Sequence, residues 1–388
     1  MNLAEYRRAA RQWLQENVPS GDYPEAEAIP RAKEFMAKLY DAGYSGISWP
    51  KQWGGQGLTQ AEERAFAEEA RDFTLPTYVF SIGLGMTGPT IVDRGTDAQR
   101  ARFIRPLLRG EEIWCQLFSE PGAGSDVAGL QTRAVRDGDH WIIDGQKVWT
   151  SVAQHADWGL LLARTDVEQP KHKGLTMFVV DMHHPGVTVR PLKDMSGRAN
   201  FNEVFVDAVP IPDEHRIGEV NDGWSVAVTT LLHERLSISA GVGMSGQKEN
   251  PAALGALRKE VDTSDPLVRD QLVELHIRSR ALELFNERLA QETKAGVFPG
   301  ARGSAAKLLL AELTQFQADL ATRLVGPEAT LAGHPLARAI SMAPGMALGG
   351  GTNEIMRNII GDRVLGLPPE PRVDKNVPFK DLKVGTQG

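Results

Sequence analysis

Apolar residues recur at helical spacing from Leu3 to about Arg109, as in Phe35, Met36, Leu39 and Tyr40. That period predicts a helical segment, interrupted by a loop over Gly46 to Gly57. From about Ile113 the pattern changes to short β-forming runs: His140 to Ile143, Gly159 to Ala163, Leu175 to Val180, Val187 to Val189 and Val204 to Val206. Asp137-Gly138-Asp139 and Asp144-Gly145 are read as turns between strands. Past Pro210 and Pro212 the helical period returns over Trp224 to Ser239, Leu267 to Thr293, Ser304 to Leu324 and Asn353 to Val364, with Ser245 to Asp265 as a loop. The expected chain is α+β: a helical domain over residues 1–112, a β domain over 113–217 and a second helical domain over 218–388.

With 388 residues, 41% of them hydrophobic, the chain can bury a large core and fill roughly two or three domains. A net charge of -7 leaves no basic excess, so no nucleic-acid partner is expected. The single cysteine, Cys115, excludes an intrachain disulfide framework, fits a reducing compartment and reads as packing. The polar start, Met1 to Arg8, has no signal-type apolar core, and no run is long enough for a membrane span, which predicts a cytoplasmic protein.

Two familiar chemistries are set aside. Gly83-Leu84-Gly85-Met86-Thr87-Gly88 matches the three-glycine dinucleotide pattern, but Pro89 follows at once and the surroundings are helical rather than strand-then-helix. Its glycines are read as allowing close helix packing. Adjacent His183 and His184, and His233-Glu234 without a second histidine, do not make a metal site, so no metal is expected and these histidines are read as surface or loop residues.

The chemistry concentrates in Ser119-Glu120-Pro121-Gly122-Ala123-Gly124-Ser125-Asp126 and in Asp144-Gly145-Gln146-Lys147-Val148-Trp149-Thr150-Ser151. Glycines 122 and 124 let backbone approach a bulky planar or phosphorylated ligand, Ser119, Ser125 and Ser151 are small donors, and Trp149 is an aromatic wall. The residues alone leave open an ordinary loop between strands.

Glu-Pro-Gly-Ala-Gly-Ser-Asp followed by Gly-Gln-Lys-x-Trp resembles the flavin and acyl-CoA segment of the acyl-CoA dehydrogenase family. The likeness continues through Gly95 to Gln99, Asn202 to Asp207, Gly218-Glu219-x-x-x-Gly223-Trp224 and Gly350 to Ile355, covering nearly the whole chain. It implies an N-terminal helical domain, a middle β domain, a C-terminal four-helix bundle and FAD as cofactor. The implied flavin contacts are Phe118, Ser119, Trp149, Ser151 and Thr352, with Glu354 in the same C-terminal motif; Ser125 matches a contact to acyl-CoA or, alternatively, caps a tight turn.

The reaction implied removes a proton α to a thioester as hydride leaves the β carbon, which calls for a carboxylate in a water-poor pocket. Short- and medium-chain relatives place that glutamate immediately before the Gly-Thr of the C-terminal motif, where this chain has Gly350. Isovaleryl and long-chain relatives place it on the first long helix after the β domain. The match there is Glu234 in Leu231-Leu232-His233-Glu234-Arg235-Leu236, with Arg235 shaping the substrate pocket; a solvated Glu-Arg pair is the rival reading. This arrangement favours branched, alicyclic, steroid or other bulky acyl groups.

The usual Arg-x-x-Phe-Gly contact to a neighbouring subunit's flavin pyrophosphate has no counterpart, Gly246 to Asp265 standing in its region. Arg323 either supplies that charge or satisfies the last carbonyls of its helix. Expected partners are the acyl-CoA substrate, an electron-transfer flavoprotein as acceptor, and further subunits in a dimer of dimers. A flavin-sharing heterotetramer with a paralogue, and an oxidase or monooxygenase on the same fold, remain as alternatives.

Overall fold

A computed structural model describes every residue except 1, 20, 22, 23, 241–249, 296, 298, 299, 373 and 383–388. The N-terminal part contains α1 (Leu3–Asn17), α2 (Glu25–Asp41), α3 (Gln60–Ala70), α4 (Gly88–Arg94) and α5 (Asp97–Arg109). Helices α1, α3 and α5 open with capping boxes, Asn2 with Glu5, Thr59 with Glu62 and Thr96 with Gln99, which satisfy first-turn amides. A π-helical turn over Gly83–Thr87 leads into α4. A Cβ on Gly88 would come within 2.7 Å of the Trp49 ring, so close packing explains that glycine.

The middle part holds β1 (Trp114–Leu117), β2 (Arg133–Asp137), β3 (His140–Ser151), β4 (Trp158–Arg164), β5 (Leu175–Asp181), β6 (Val187–Leu192), β7 (Phe201–Pro212) and β8 (Arg216–Ile217). The sheet order is β6-β7-β3-β2-β4-β5-β8, with β1 parallel to β4. Strands β4 and β5 read as unbroken apolar runs because both faces are covered. Leu161, Ala163, Phe178 and Val180 join the core under the N-terminal helices, while Leu160, Leu162, Met177 and Val179 join a second core with α5 and the following helix.

The helical part that follows contains α6 (Gly223–Ala240), α7 (Leu254–Glu260), α8 (Pro266–Lys294), α9 (Gly303–Val325), α10 (Pro335–Met346) and α11 (Asn353–Arg363). A third core fills it, with Leu257, Leu275 and Leu320 fully buried.

Several expectations need correction. Asp137–Asp139 is a hairpin turn with Gly138 at φ 61, but Asp144-Gly145 lies inside β3. Gly145 is there for clearance, since a Cβ would stand 2.2 Å from Thr132 Oγ1, and a register shift against β7 absorbs the pair. Ser245 to Asp265 is not wholly loop: residues 245–249 lie outside the described residues, and α7 follows, held by buried Leu257. Helix α10 matches no expected element because Pro344 interrupts its period. His233 is neither surface nor loop: it sits half-buried on α6 and bonds Asp93 at 2.8 Å. Among the described residues no helix is long and apolar enough to cross a membrane.

Candidate active site

Beyond β1 the chain turns through Phe118 and Ser119 into Glu120, which anchors the corner. The Glu120 carboxylate accepts the Gln131 and Thr132 amides at 2.7 and 3.0 Å and the Lys147 ammonium at 2.8 Å. Lys147 is 0% exposed and also donates to the carbonyls of Phe118 at 3.1 Å and Leu162 at 2.8 Å. Burial alone would raise the Glu120 carboxyl, but Lys147 and the amides hold it below the ordinary carboxylate range. This buried pair ties β3 to the turn that carries Ser119.

Strand β3 then bulges. Lys147 faces Val204 and Thr150 faces Asn202, so β3 carries one residue more than β7 across this stretch. Trp149 takes up the surplus at φ 59, and its indole stands out 58% exposed with an edge contact to Phe201. Buried Asn202 secures the bulge by donating to the Thr150 carbonyl at 3.0 Å and to Gln154 at 2.6 Å. Val152 is also left-handed, at φ 55, so strained backbone brackets Ser151. The Val148 amide donates to the Ser119 carbonyl at 2.9 Å, bringing the two hydroxyl-bearing segments together.

Glu234 reaches the same region from α6. Gly223 lets that helix start against β5, since a Cβ would meet the Thr176 backbone at 2.6 Å. Thr230, one turn before Glu234, bonds Thr90 at 3.0 Å, and Arg94 bonds Asp222 at 2.7 Å, which fixes how α6 is rotated. Glu234 is half-buried: water still reaches part of it while protein crowds its carboxylate. Burial pushes this carboxyl above its ordinary range, against opposing effects from Gln116, Arg235 and Lys307. Gln116 of β1 donates to it at the long distance of 3.5 Å, and the Gln116 Oε1 is buried without a partner. A carboxylate made more basic by its surroundings is suited to proton abstraction.

Lys307 of α9 is 1% exposed and donates to the Gly351 carbonyl at 2.6 Å. It thereby holds the turn of Gly350 and Gly351, left-handed at φ 69 and 92, in front of Thr352, which caps α11 by accepting the Ile355 amide at 3.2 Å. A glutamate at position 350 would strain this backbone by roughly 1–3 kcal/mol.

The structure thus gathers Ser119, Trp149 and Ser151 at one corner, with Phe118 buried behind them. Gln116 links that strand to Glu234, and Lys307 links the neighbourhood of Glu234 to Thr352. The other expected site residues make contacts of their own. Arg235 bonds the Leu231 carbonyl at 2.9 Å and Ser304 at 3.3 Å, joining α6 to α9. Ser125 is exposed on its turn, and Glu354 is exposed 3.8 Å from Arg357 of its own helix. Arg323, about 24 Å along α9 from Lys307, is exposed and pairs with Asp319 at 2.9 Å. Gln116 and Lys307 had no role from sequence, although each is a polar residue inside an apolar run, Trp114 to Leu117 and Ala305 to Leu310. No group of metal-ligating side chains occurs among the described residues.

The family description of the acyl-CoA dehydrogenase N-terminal domain matches residues 2–111, that of the middle domain residues 115–209, and that of the C-terminal domain residues 221–365. Acyl-CoA dehydrogenase FadE34 of Mycobacterium tuberculosis is 39% identical over 89% of the chain, which spans only 47% of that relative. Acyl-CoA dehydrogenase IpdE1 of the same organism is 35% identical over 96% of the chain and 99% of its own length. Among solved structures, the Tcur3481-Tcur3483 steroid ACAD superposes with a TM-score of 0.80 at 28% identity, covering 95% of this chain and 98% of the other. The ChsE4-ChsE5 complex from Mycobacterium tuberculosis gives 0.78 at 30% identity, covering 94% and 97%.

Proposed function

The chain belongs to the acyl-CoA dehydrogenase family, and from that premise we propose that it converts an acyl-CoA thioester to the trans-2-enoyl-CoA with Glu234 as the base. The observation that carries this is the crowded carboxylate of Glu234, contacted by Gln116 on the strand that leads into the corner of Ser119. Members of the family are FAD-dependent flavoproteins, and the residues here fit that group: an exposed indole for a flat ring, with half-buried hydroxyls at Ser119, Ser151 and Thr352 for its polar edge. When bound, FAD supplies the acceptor for the hydride that leaves the β carbon. Glu234 takes the α proton, its raised basicity matched to that task. Arg235 joins α6 to α9, and its charge favours the ionised form of Glu234.

The acyl group is bulky or ring-bearing on this reading. Gly350 and Gly351 present no side chain where straight-chain relatives carry their base, and the relative named a steroid ACAD supports the same direction. Anaerobic mixing of the purified protein with straight, branched, alicyclic and steroid acyl-CoA thioesters tests it. Ring-bearing thioesters should bleach the flavin absorbance; no bleaching by any of them would sink the reading. An electron-transfer flavoprotein is the proposed acceptor for the reduced enzyme. A cytoplasmic setting is proposed as well, in keeping with a sequence whose single cysteine, the buried Cys115, allows no intrachain disulfide.

Assembly is proposed through the helical bundle, where α8 exposes Leu267, Val273, Ile277 and Leu284. Both a homotetramer and a heterotetramer would cover this face, and the likeness to the ChsE4-ChsE5 complex favours keeping the second. Protein purified alone should be yellow if each site is complete; colourless protein that gains flavin with a paralogue would establish the heterotetramer.

The pH dependence follows from Glu234. Its folded pKa is raised, so the active carboxylate forms only as pH climbs past the ordinary carboxylate range, and the turnover number should rise through that window. Lys307 favours the charged form, so Lys307→Met should move this acid limb to higher pH. A pH–rate profile unchanged by the substitution would confine Lys307 to holding the Gly351 carbonyl.

A further inference from the structure

After α11 the chain leaves the bundle and returns to the β domain. The Phe379 amide donates to the Gln169 carbonyl at 2.9 Å and the Lys380 amide to the Val167 carbonyl at 3.1 Å, while Pro378 bridges to Pro170. Phe379 is 8% exposed and lies over the Arg164 guanidinium, 3.6 Å from its ring centroid. Beneath that ring Arg164 donates to the Ala128 carbonyl at 2.6 Å and the Lys171 carbonyl at 2.7 Å. The Lys171 ammonium is shared between Asp126 at 2.7 Å and Asp374 at 2.6 Å.

These contacts converge on one feature. The turn from Pro121 to Asp126 holds itself by the backbone bonds that Glu120 and Ala123 exchange at 3.0 Å and by the Gly129 amide on the Asp126 carbonyl at 2.9 Å, while a Cβ on Gly124 would meet nothing within 4 Å. Its placement comes from below, through Arg164 on Ala128 and through Lys171 on Asp126. A guanidinium desolvated against an aromatic face is held more firmly than one in water, so Phe379 stiffens Arg164. Lys171, almost enclosed, exchanges hydration for two carboxylates, one from the turn and one from the returning segment.

We infer that residues 374–382 form a strap that holds the Pro121–Asp126 turn in place for the acyl-CoA, with Phe379 and Lys171 as positioning residues. The inference rests on the reading of Ser125 and its turn as facing substrate. Loosening the strap weakens ground-state binding and leaves the base and the flavin corner intact, so KM rises and kcat holds.

The test compares Phe379→Ala, Asp374→Asn and Lys171→Met with the unaltered holoenzyme, by hydrogen exchange across residues 120–131 and by steady-state kinetics. Lys380→Ala is the control, since its ammonium meets Glu168 at the surface, 2.7 Å away. Expected are faster exchange confined to that stretch and a KM raised about fivefold or more at a kcat within about twofold of the original. Should Phe379→Ala unfold the whole protein, Asp374→Asn, a same-sized change at a more exposed position, decides. Exchange unchanged in Asp374→Asn and Lys171→Met overturns the strap, and faster exchange with KM unaltered overturns its positioning role. If the unaltered enzyme turns over no acyl-CoA, the substrate reading fails by itself, and the exchange rates still report on the strap.

Discussion

Glu234→Gln is expected to lower the rate of anaerobic flavin bleaching by acyl-CoA by about 10²–10⁴-fold, the usual contribution of a positioned proton acceptor. Glutamine keeps the shape and the contact with Gln116 but cannot take a proton, so thioester affinity should stay within a few-fold. Rapid mixing measures the first quantity and equilibrium titration the second. A variant that bleaches within about tenfold of the original rate would remove Glu234 from the mechanism. Stability should move the other way. The folded pKa of Glu234 lies above its unfolded value, so the folded state binds the extra proton and loses stability as pH rises through that window. Above it, the neutral glutamine escapes this cost, and the variant should melt at a higher temperature than the parent.

Lys147→Met carries the largest expected effect on stability. It leaves the Glu120 carboxylate buried without its counter-charge and the Phe118 and Leu162 carbonyls without their shared donor. Breaking one side of a buried ion pair costs about 3–5 kcal/mol. Because Glu120 also accepts the Gln131 and Thr132 amides, the damage should spread to the Ser119 turn and release flavin at temperatures where the parent keeps it. Adding Glu120→Gln should recover part of the loss by removing the stranded charge, giving a favourable coupling in a double-mutant cycle. A denaturation midpoint for Lys147→Met equal to the parent's would show that the pair does not hold this corner together.

Much of the fold was legible because its signals are local. Helical spacing located α6, α8, α9 and α11 to within a residue or two, since amphipathic period is written into each helix separately. The glycines of Gly83–Gly88 were rightly separated from a dinucleotide loop by their helical surroundings. Asp144-Gly145 misled because a turn dipeptide and a strand glycine under a close neighbour have the same letters. Only the position of Thr132, on another strand, tells them apart.

By itself the sequence determined the helical, β, helical order and the family, and it singled out Glu234 through the glycine at 350, because motifs and periodicities survive without knowledge of distant neighbours. Tertiary structure alone decided how these parts meet. Gln116 and Glu234 stand 118 positions apart in the chain, Lys307 and Gly351 44 apart, and neither pairing leaves a local trace. The same holds for the bulge that turns Trp149 outward against β7, for Arg323 facing solvent far along α9, and for the segment that returns to Arg164 and Lys171. Each depends on which surfaces pack together, and packing is settled by the whole core rather than by any one stretch of it.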